Sequence, residues 1–205
     1  MEQRIRRQLA GSKPQDSQIV QRPGWGDIPD DFRHLFPDPL IPAAVLFPLI
    51  RRDGEISVLL TKRAAHLKHH GGQISFPGGR METVDSGPLA TALRETEEEI
   101  GIPADQVDVV GYLDNYFTIT GFSVTPVVGF FDGDLALKLD RAEVEDTFEV
   151  PLGHLLDPGE HRKKHKEFMG QKIAYYEIEW EERIIWGATA AMIVCFHDRI
   201  MGSQK

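Results

Sequence analysis

The stretch FPGGRMETVDSGPLATALRETEEEIG, Phe76 to Gly101, decides how the rest of the chain is read. It opens on a rigid Pro-Gly-Gly turn and closes with four glutamates in five residues, Glu95 to Glu99. Leu89 to Ile100 has helical periodicity, and Gly101 with Pro103 just beyond supplies a stop. Each helical residue advances about 100° around the axis, so Leu93, Thr96 and Ile100 fall within roughly 40° of Leu89, with Ala92 at their edge. That is the expected core stripe. Glu98, Glu95 and Glu99 fall at roughly 180°, 240° and 280°, an acidic arc across from or beside it, and Glu97 points elsewhere.

Like charges at this spacing repel and cost a few tenths of a kcal/mol per exposed pair. Arg94, four residues before Glu98, can offset one carboxylate. A divalent cation could offset all three, and carboxylate oxygens are hard ligands suited to Mg²⁺ or Mn²⁺. On the helix alone, a solvated glutamate-rich face is the plain alternative. The preceding loop shifts the balance: Pro77-Gly78-Gly79 bends tightly enough for a backbone carbonyl to join a coordination sphere, and Asp85 adds a carboxylate before the helix. In that order these parts make a metal cradle for a phosphate chain, where charge neutralisation and an oriented water do most of the work.

The stretch resembles the Nudix box, in which Gly, five residues, Glu and seven residues precede Arg-Glu-U-x-Glu-Glu-x-Gly-U, U being apolar. Gly79 and Arg94 to Ile102 match it. Asp85 stands where Glu is usual, eight residues separate it from Arg94, and Thr96 takes an apolar position. The offset and the Asp resemble the coenzyme A pyrophosphatase branch, as does the upstream LLTKRAAHLKHHGGQISFPGG, Leu59 to Gly79, with Lys68 where that branch has Arg. The GFSVTPVVG, EVEDTFEVPL and IIWGATA segments extend the likeness over roughly residues 40 to 200.

The resemblance implies a Nudix α/β/α sandwich with a central mixed sheet, and metal-dependent cleavage of the pyrophosphate of coenzyme A or its acyl or oxidised derivatives. Glu98 and Glu99 match the principal metal ligands, and the Gly78 carbonyl would join them. Glu95 is a ligand or the base toward water, and Arg94 would orient it. Glu143 is the candidate for a distal carboxylate from another loop. Lys62, Arg63 and Lys68 form a local basic patch for substrate phosphates, with Arg63 favoured for the 3′-phosphate because its fork suits that group. His70 would contact phosphate or adenine-ribose. The rivals are another nucleoside diphosphate conjugate such as NADH or ADP-ribose, and a catalytically silent binding module.

The remaining sequence bounds these readings. The chain has 205 residues, 41% hydrophobic and 27% charged, enough for one well-buried domain. We read residues 1–36, polar and turn-rich, as an N-terminal extension and 37–205 as the hydrolase domain. The formal charge of -9 speaks against nucleic acid or an anionic membrane as partner, leaving a small-molecule substrate and an open question of a homodimer. MEQRIRRQLAG lacks a signal-peptide core, its arginines admit a transit peptide, and GSQK is not a peroxisomal address, so the expected location is the cytoplasm. The single cysteine, Cys195, sits in the apolar run AAMIVCF and reads as a buried structural thiol. His66, His69 and His70 invite a zinc reading, but Gly71-Gly72 breaks any helix that would align them. Two apolar runs joined at Asp53-Gly54 predict a hairpin, EVEDTFEVPLGHLLD an irregular segment then a short helix, and KKHKEFMGQKIAYYEIEW a hairpin around Gly170. HRKKHK, 161–166, is expected to be a solvated part of that hairpin. GATAAMIVCFHDRIM predicts a final helix.

Overall fold

The computed structural model describes residues 1–14, 40–168 and 171–202. A short helix α1 (Glu2–Leu9) comes first. The hairpin expected at Asp53-Gly54 is β1 (Ile41–Arg52) with β2 (Glu55–Arg63). Both turn residues have positive φ, 50° and 81°, as a tight two-residue connection between twisted strands requires. Then follow β3 (Ile74–Ser75), β4 (Gly78–Arg80) and the glutamate helix α2 (Pro88–Ile100), which ends on a left-handed Gly101. Next are β5 (Asp108–Tyr112), β6 (Tyr116–Phe117), β7 (Phe122–Asp132), β8 (Val144–Pro151) and the one-turn helix α3 (Leu152–Leu155). Strands β9 (Arg162–Phe168), β10 (Gln171–Trp180) and β11 (Arg183–Trp186) precede α4 (Ala188–Met201).

The main sheet is mixed. Its path runs β3-β2-β1-β7-β5, with β4 paired to β1, β6 to β7 and β8 to β2. The central pair β1 and β7 is parallel, Leu46 opposite Val127, and both strands are buried on two faces. Alternation along β1 divides the core. Phe47 and Leu49 join Val128, Phe130, Ile193 and Phe196 on the face covered by α1, α4 and the sheet β11-β10-β9. Ala44, Leu46 and Ile50 join Val127, Phe131, Ala92 and Ile100 under α2. Helices therefore cover both faces, the expected α/β/α layering. Among the described residues no helix is long and apolar enough to cross a membrane.

Two segments differ from the sequence reading. EVEDTFEV is a strand, not an irregular segment: it pairs with β2 from Ser57↔Pro151 to Arg63↔Val144, and Val144 and Val150 are buried. The first residues of the polar extension form α1, whose Ile5 and Leu9 share one face and are fully buried. Arg4 donates to the Ile200 and Met201 carbonyls at the end of α4, and Arg199 donates to the Gln8 carbonyl, so each helix caps the other. Arg6 pairs with Glu2 and Asp108, and the Arg6 and Arg51 guanidinium groups lie 5.3 and 5.4 Å from the Phe130 ring centre. Residues 15–36 of the extension and the turn at Gly170 lie outside the described residues.

Truncating Leu9 to Ala should therefore cost about 2–5 kcal/mol, as for other fully buried leucines. Urea denaturation would measure it. A loss under about 1 kcal/mol would mean that α1 lies outside the cooperative unit.

Candidate active site

The site forms where α2 crosses β4 and the end of β2. Antiparallel pairing of β4 with β1, Ala44 opposite Gly79 and Val45 opposite Gly78, lays the two glycines beneath the helix. A side chain at Gly78 would meet backbone, and one at Gly79 would displace the Glu95 carboxylate. At Gly78, φ is 148° and a Cβ would stand 2.4 Å from the Ala44 carbonyl oxygen. At Gly79 a Cβ would meet the Glu95 carboxylate, 2.5 Å from its carbon. The Pro-Gly-Gly turn thus lets two carboxylates approach the backbone: Glu95 rests on Gly79, and Glu99 accepts from the Gly78 N–H at 3.2 Å. The Gly78 N–H is thus engaged by Glu99.

Arg94 organises the helix carboxylates. Its Nε and Nη2 each donate to Asp85 at 3.0 Å, a parallel fork, and its Nη1 donates to both Glu95 and Glu98 at 2.9 Å. Asp85 is 3% exposed and also accepts from the Glu82 N–H and the Thr91 hydroxyl. These bonds, the Arg94 pair foremost, hold its carboxyl well below the usual range. Asp85 is therefore the anchor of Arg94 and not part of the cradle, which explains how a shorter acid serves at a position one residue further from the arginine.

Glu98 stands exposed at 61%, whereas Glu99 is 3% exposed. The buried side of α2 is turned toward Glu99, with Ala92, Thr96 and Ile100 fully buried and Leu89 and Leu93 only half-buried. Burial pushes the Glu99 carboxyl up to about 7, against the charge of Arg63 and the Gly78 N–H, which pull it down. Burial also raises Glu95, opposed by Arg94 and supported by the charges of Glu98 and Glu143. Glu97 is exposed, and its carbonyl is capped by the Gly101 N–H.

The signature loop delivers the other members. Arg63 Nη1 donates to Glu99 at 3.2 Å, and its Nη2 lies 3.7 Å from Glu143. Glu143 is brought there by its own backbone, whose carbonyl accepts from Ala64 N–H at 2.8 Å. Lys62 points away and pairs with Glu145 at 2.6 Å. Lys68, His69 and His70 are exposed on the loop. His70 has φ 58°, uncommon for a residue with a Cβ, and its Nδ1 meets Gln73 Oε1 at 2.9 Å. The structure thus gathers Glu95, Glu98, Glu99, Arg94, Arg63, Gly78 and Glu143, and leaves Lys62, Lys68 and His70 outside that cluster.

The donor chemistry of this cluster suits a hard cation. Glu95, Glu99, Glu98 and Glu143 are oxygen donors and feel one another's charge. Among the described residues no imidazole or thiol stands with them, a donor set that does not suit zinc. Among the described residues, no three acidic, histidine or cysteine side chains stand close enough to hold a metal ion as now turned. Arg94 and Arg63 supply the counter-charge, and carboxylate rotamers would have to change to ligate. Asp85 was seen as a cradle carboxylate, but its donors, the Glu82 N–H and the Thr91 hydroxyl, were missed. The signal was the Thr91 hydroxyl in the first helical turn, six residues after Asp85.

Three comparisons bear on this geometry. Residues 39–171 match the family model described as the NUDIX domain. The chain is 40% identical over 151 residues to an uncharacterized Nudix hydrolase, NudL, of Escherichia coli strain K12, covering 74% of this chain and 78% of that protein. Among solved structures it is similar to a Nudix hydrolase of M. smegmatis, RenU, at 26% identity and TM-score 0.48, covering 58% of this chain and 78% of that one. It is also similar to a C. elegans Ap4A hydrolase in a binary complex, at 22% identity and TM-score 0.47, covering 56% and 82%.

Replacing Asp85 with Asn should destabilise the protein by about 2–3 kcal/mol at pH 7, less than the ~3–5 of a wholly buried pair because Arg94 keeps some exposure. Asp85 titrates lower in the folded protein than in the unfolded chain, so its contribution is present above about pH 4 and fades as pH falls toward the depressed value. Chemical denaturation of both proteins at pH 7 and pH 3 checks this. An equal difference at the two values would contradict the charge pair as the source.

Proposed function

The chain belongs to the NUDIX domain family as a Nudix hydrolase, and from that premise we propose that it cleaves the pyrophosphate linkage of coenzyme A or its acyl or oxidised derivatives. The products would be 3′,5′-ADP and 4′-phosphopantetheine or its derivative. One observation carries the reading: the signature LLTKRAAHLKHHGGQISFPGG folds directly onto the carboxylate helix. Arg63 meets Glu99, Gly78 meets Glu99 and Gly79 supports Glu95, so signature and box build one site.

In this reading Glu98 and Glu99, with the Gly78 carbonyl, hold Mg²⁺ or Mn²⁺, and Glu95 contributes from the same side. When bound, such a cation polarises a phosphoryl oxygen and lowers the pKa of a water molecule. The protein's own groups do the rest. Arg94, locked on Asp85, fixes the Glu95 rotamer so that its carboxylate receives the proton of the attacking water. Glu143 lines the opposite side of the same cluster. Lys68 and His70, exposed on the loop and outside the cluster, would take the nucleotide end and its 3′-phosphate, whereas Arg63, beside Glu99, would serve the pyrophosphate.

Incubating the pure protein with coenzyme A species, NADH, ADP-ribose and nucleoside triphosphates, with Mg²⁺ or Mn²⁺, and identifying products by mass tests the substrate. Coenzyme A should be preferred over dephospho-coenzyme A by roughly ten- to hundredfold in kcat/KM, the effect of one or two hydrogen bonds to charge. Faster turnover of NADH or ADP-ribose would transfer the assignment to the conjugate that wins. Glu98→Gln and Glu99→Gln should each lower turnover by about a thousandfold or more with the fold intact, while Glu97→Gln changes it little. Comparable activity in all three variants would refute the assignment of the helix faces.

A further inference from the structure

Arg63 and Arg94 both sit among the carboxylates, but they are built differently. Arg94 is locked by its parallel fork to Asp85, with both contacts at 3.0 Å. Arg63 instead spans two carboxylates on separate elements, with one hydrogen bond to Glu99 at 3.2 Å and a longer ion-pair contact to Glu143 at 3.7 Å. Its backbone is pinned: its N–H donates to the Gln73 carbonyl at 2.9 Å, and its own carbonyl accepts from Gly72 N–H at 3.0 Å. The pairing of β2 with β8 slips between Lys62 and Arg63, a bulge that sends Lys62 outward to Glu145 and aims Arg63 at the cluster. The main chain is thus fixed while the long side chain is held by two stretched, single contacts.

We propose that Arg63 is a positioning residue that competes with the divalent cation for Glu99 and Glu143. Loading the site would release its guanidinium toward the substrate's phosphates. The proposal rests on the reading of Glu99 as a metal ligand. A carboxylate oxygen whose lone pair is engaged by a guanidinium binds a second cation less well, and two positive groups sharing the same oxygens repel. A phosphate chain held at the cation is the natural acceptor for the freed fork, being planar-donor recognition of an anion. Metal and substrate would then favour each other's binding, because each removes the partner that the other must displace.

Mn²⁺ titration at pH 8, with free Mn²⁺ read by electron paramagnetic resonance, tests this on wild type, Arg63→Gln, Arg63→Lys and Glu99→Gln. The expected result is that Arg63→Gln binds Mn²⁺ about tenfold or more tightly than wild type, the strength of one charge-assisted bond removed. Arg63→Lys, which keeps charge but loses the fork, should bind at least severalfold more tightly and serves if the Gln variant fails to fold. Affinity in these variants equal to or weaker than wild type overturns the proposal. The two readings fail separately: Glu99→Gln binding Mn²⁺ as well as wild type would remove Glu99 as ligand. Weakened binding there, with no gain in the Arg63 variants, would overturn the competition alone.

Discussion

The site depends on how one guanidinium, Arg94, distributes its donors. Two go to buried Asp85 and the third nitrogen is shared by Glu95 and Glu98. Without Asp85 the arginine would have to choose among carboxylates that repel one another along the helix. With it, the guanidinium is fixed before the helix begins, and the glutamates arrange themselves around it. The loop between β4 and α2 is therefore an electrostatic anchor, folded by the Asp85 bonds to Glu82 and Thr91, more than a contributor of ligands.

A second constraint comes from the sheet. Strand β1 pairs at once with β7 through its length and with β4 at its start, so Gly78 and Gly79 cannot drift from the core. Glycine leaves Glu95 its place at one position, and at the other any Cβ would run into the Ala44 carbonyl. Glu99 is consequently drawn into a nearly dry place, where burial raises its proton affinity and where Arg63 and the Gly78 N–H keep its cost tolerable. Such a group is held at some expense to stability, which is the usual mark of a site retained for function.

Much of this was legible in the residues. The 3.6-residue period placed the helix, and the glycine pair with the acidic arc marked where β4 and α2 meet. What the period could not show was the rotation of α2 about its own axis, because Glu99 counts as polar on a helical wheel yet is buried by the charge and N–H that meet it from other elements. Arg63 read as a free phosphate handle for the same reason: its partners, Glu99 and Glu143, are 36 and 80 residues away. Strand β8 was missed because its acidic residues mask the alternation that buries Val144 and Val150. Helix α1 was missed because two apolar residues among charged ones give little signal until α4 and Phe130 cover them.

We propose that the signature loop and the carboxylate helix form a single site for coenzyme A. A crystal structure of the Glu98→Gln protein soaked with coenzyme A and Mg²⁺ tests it most directly. The expected density places the pyrophosphate between α2 and Gly78-Gly79, with the 3′-phosphate on the loop that carries Lys68 and His70. Pyrophosphate bound away from Glu95 and Glu99, or a 3′-phosphate directed off that loop into solvent, would contradict it.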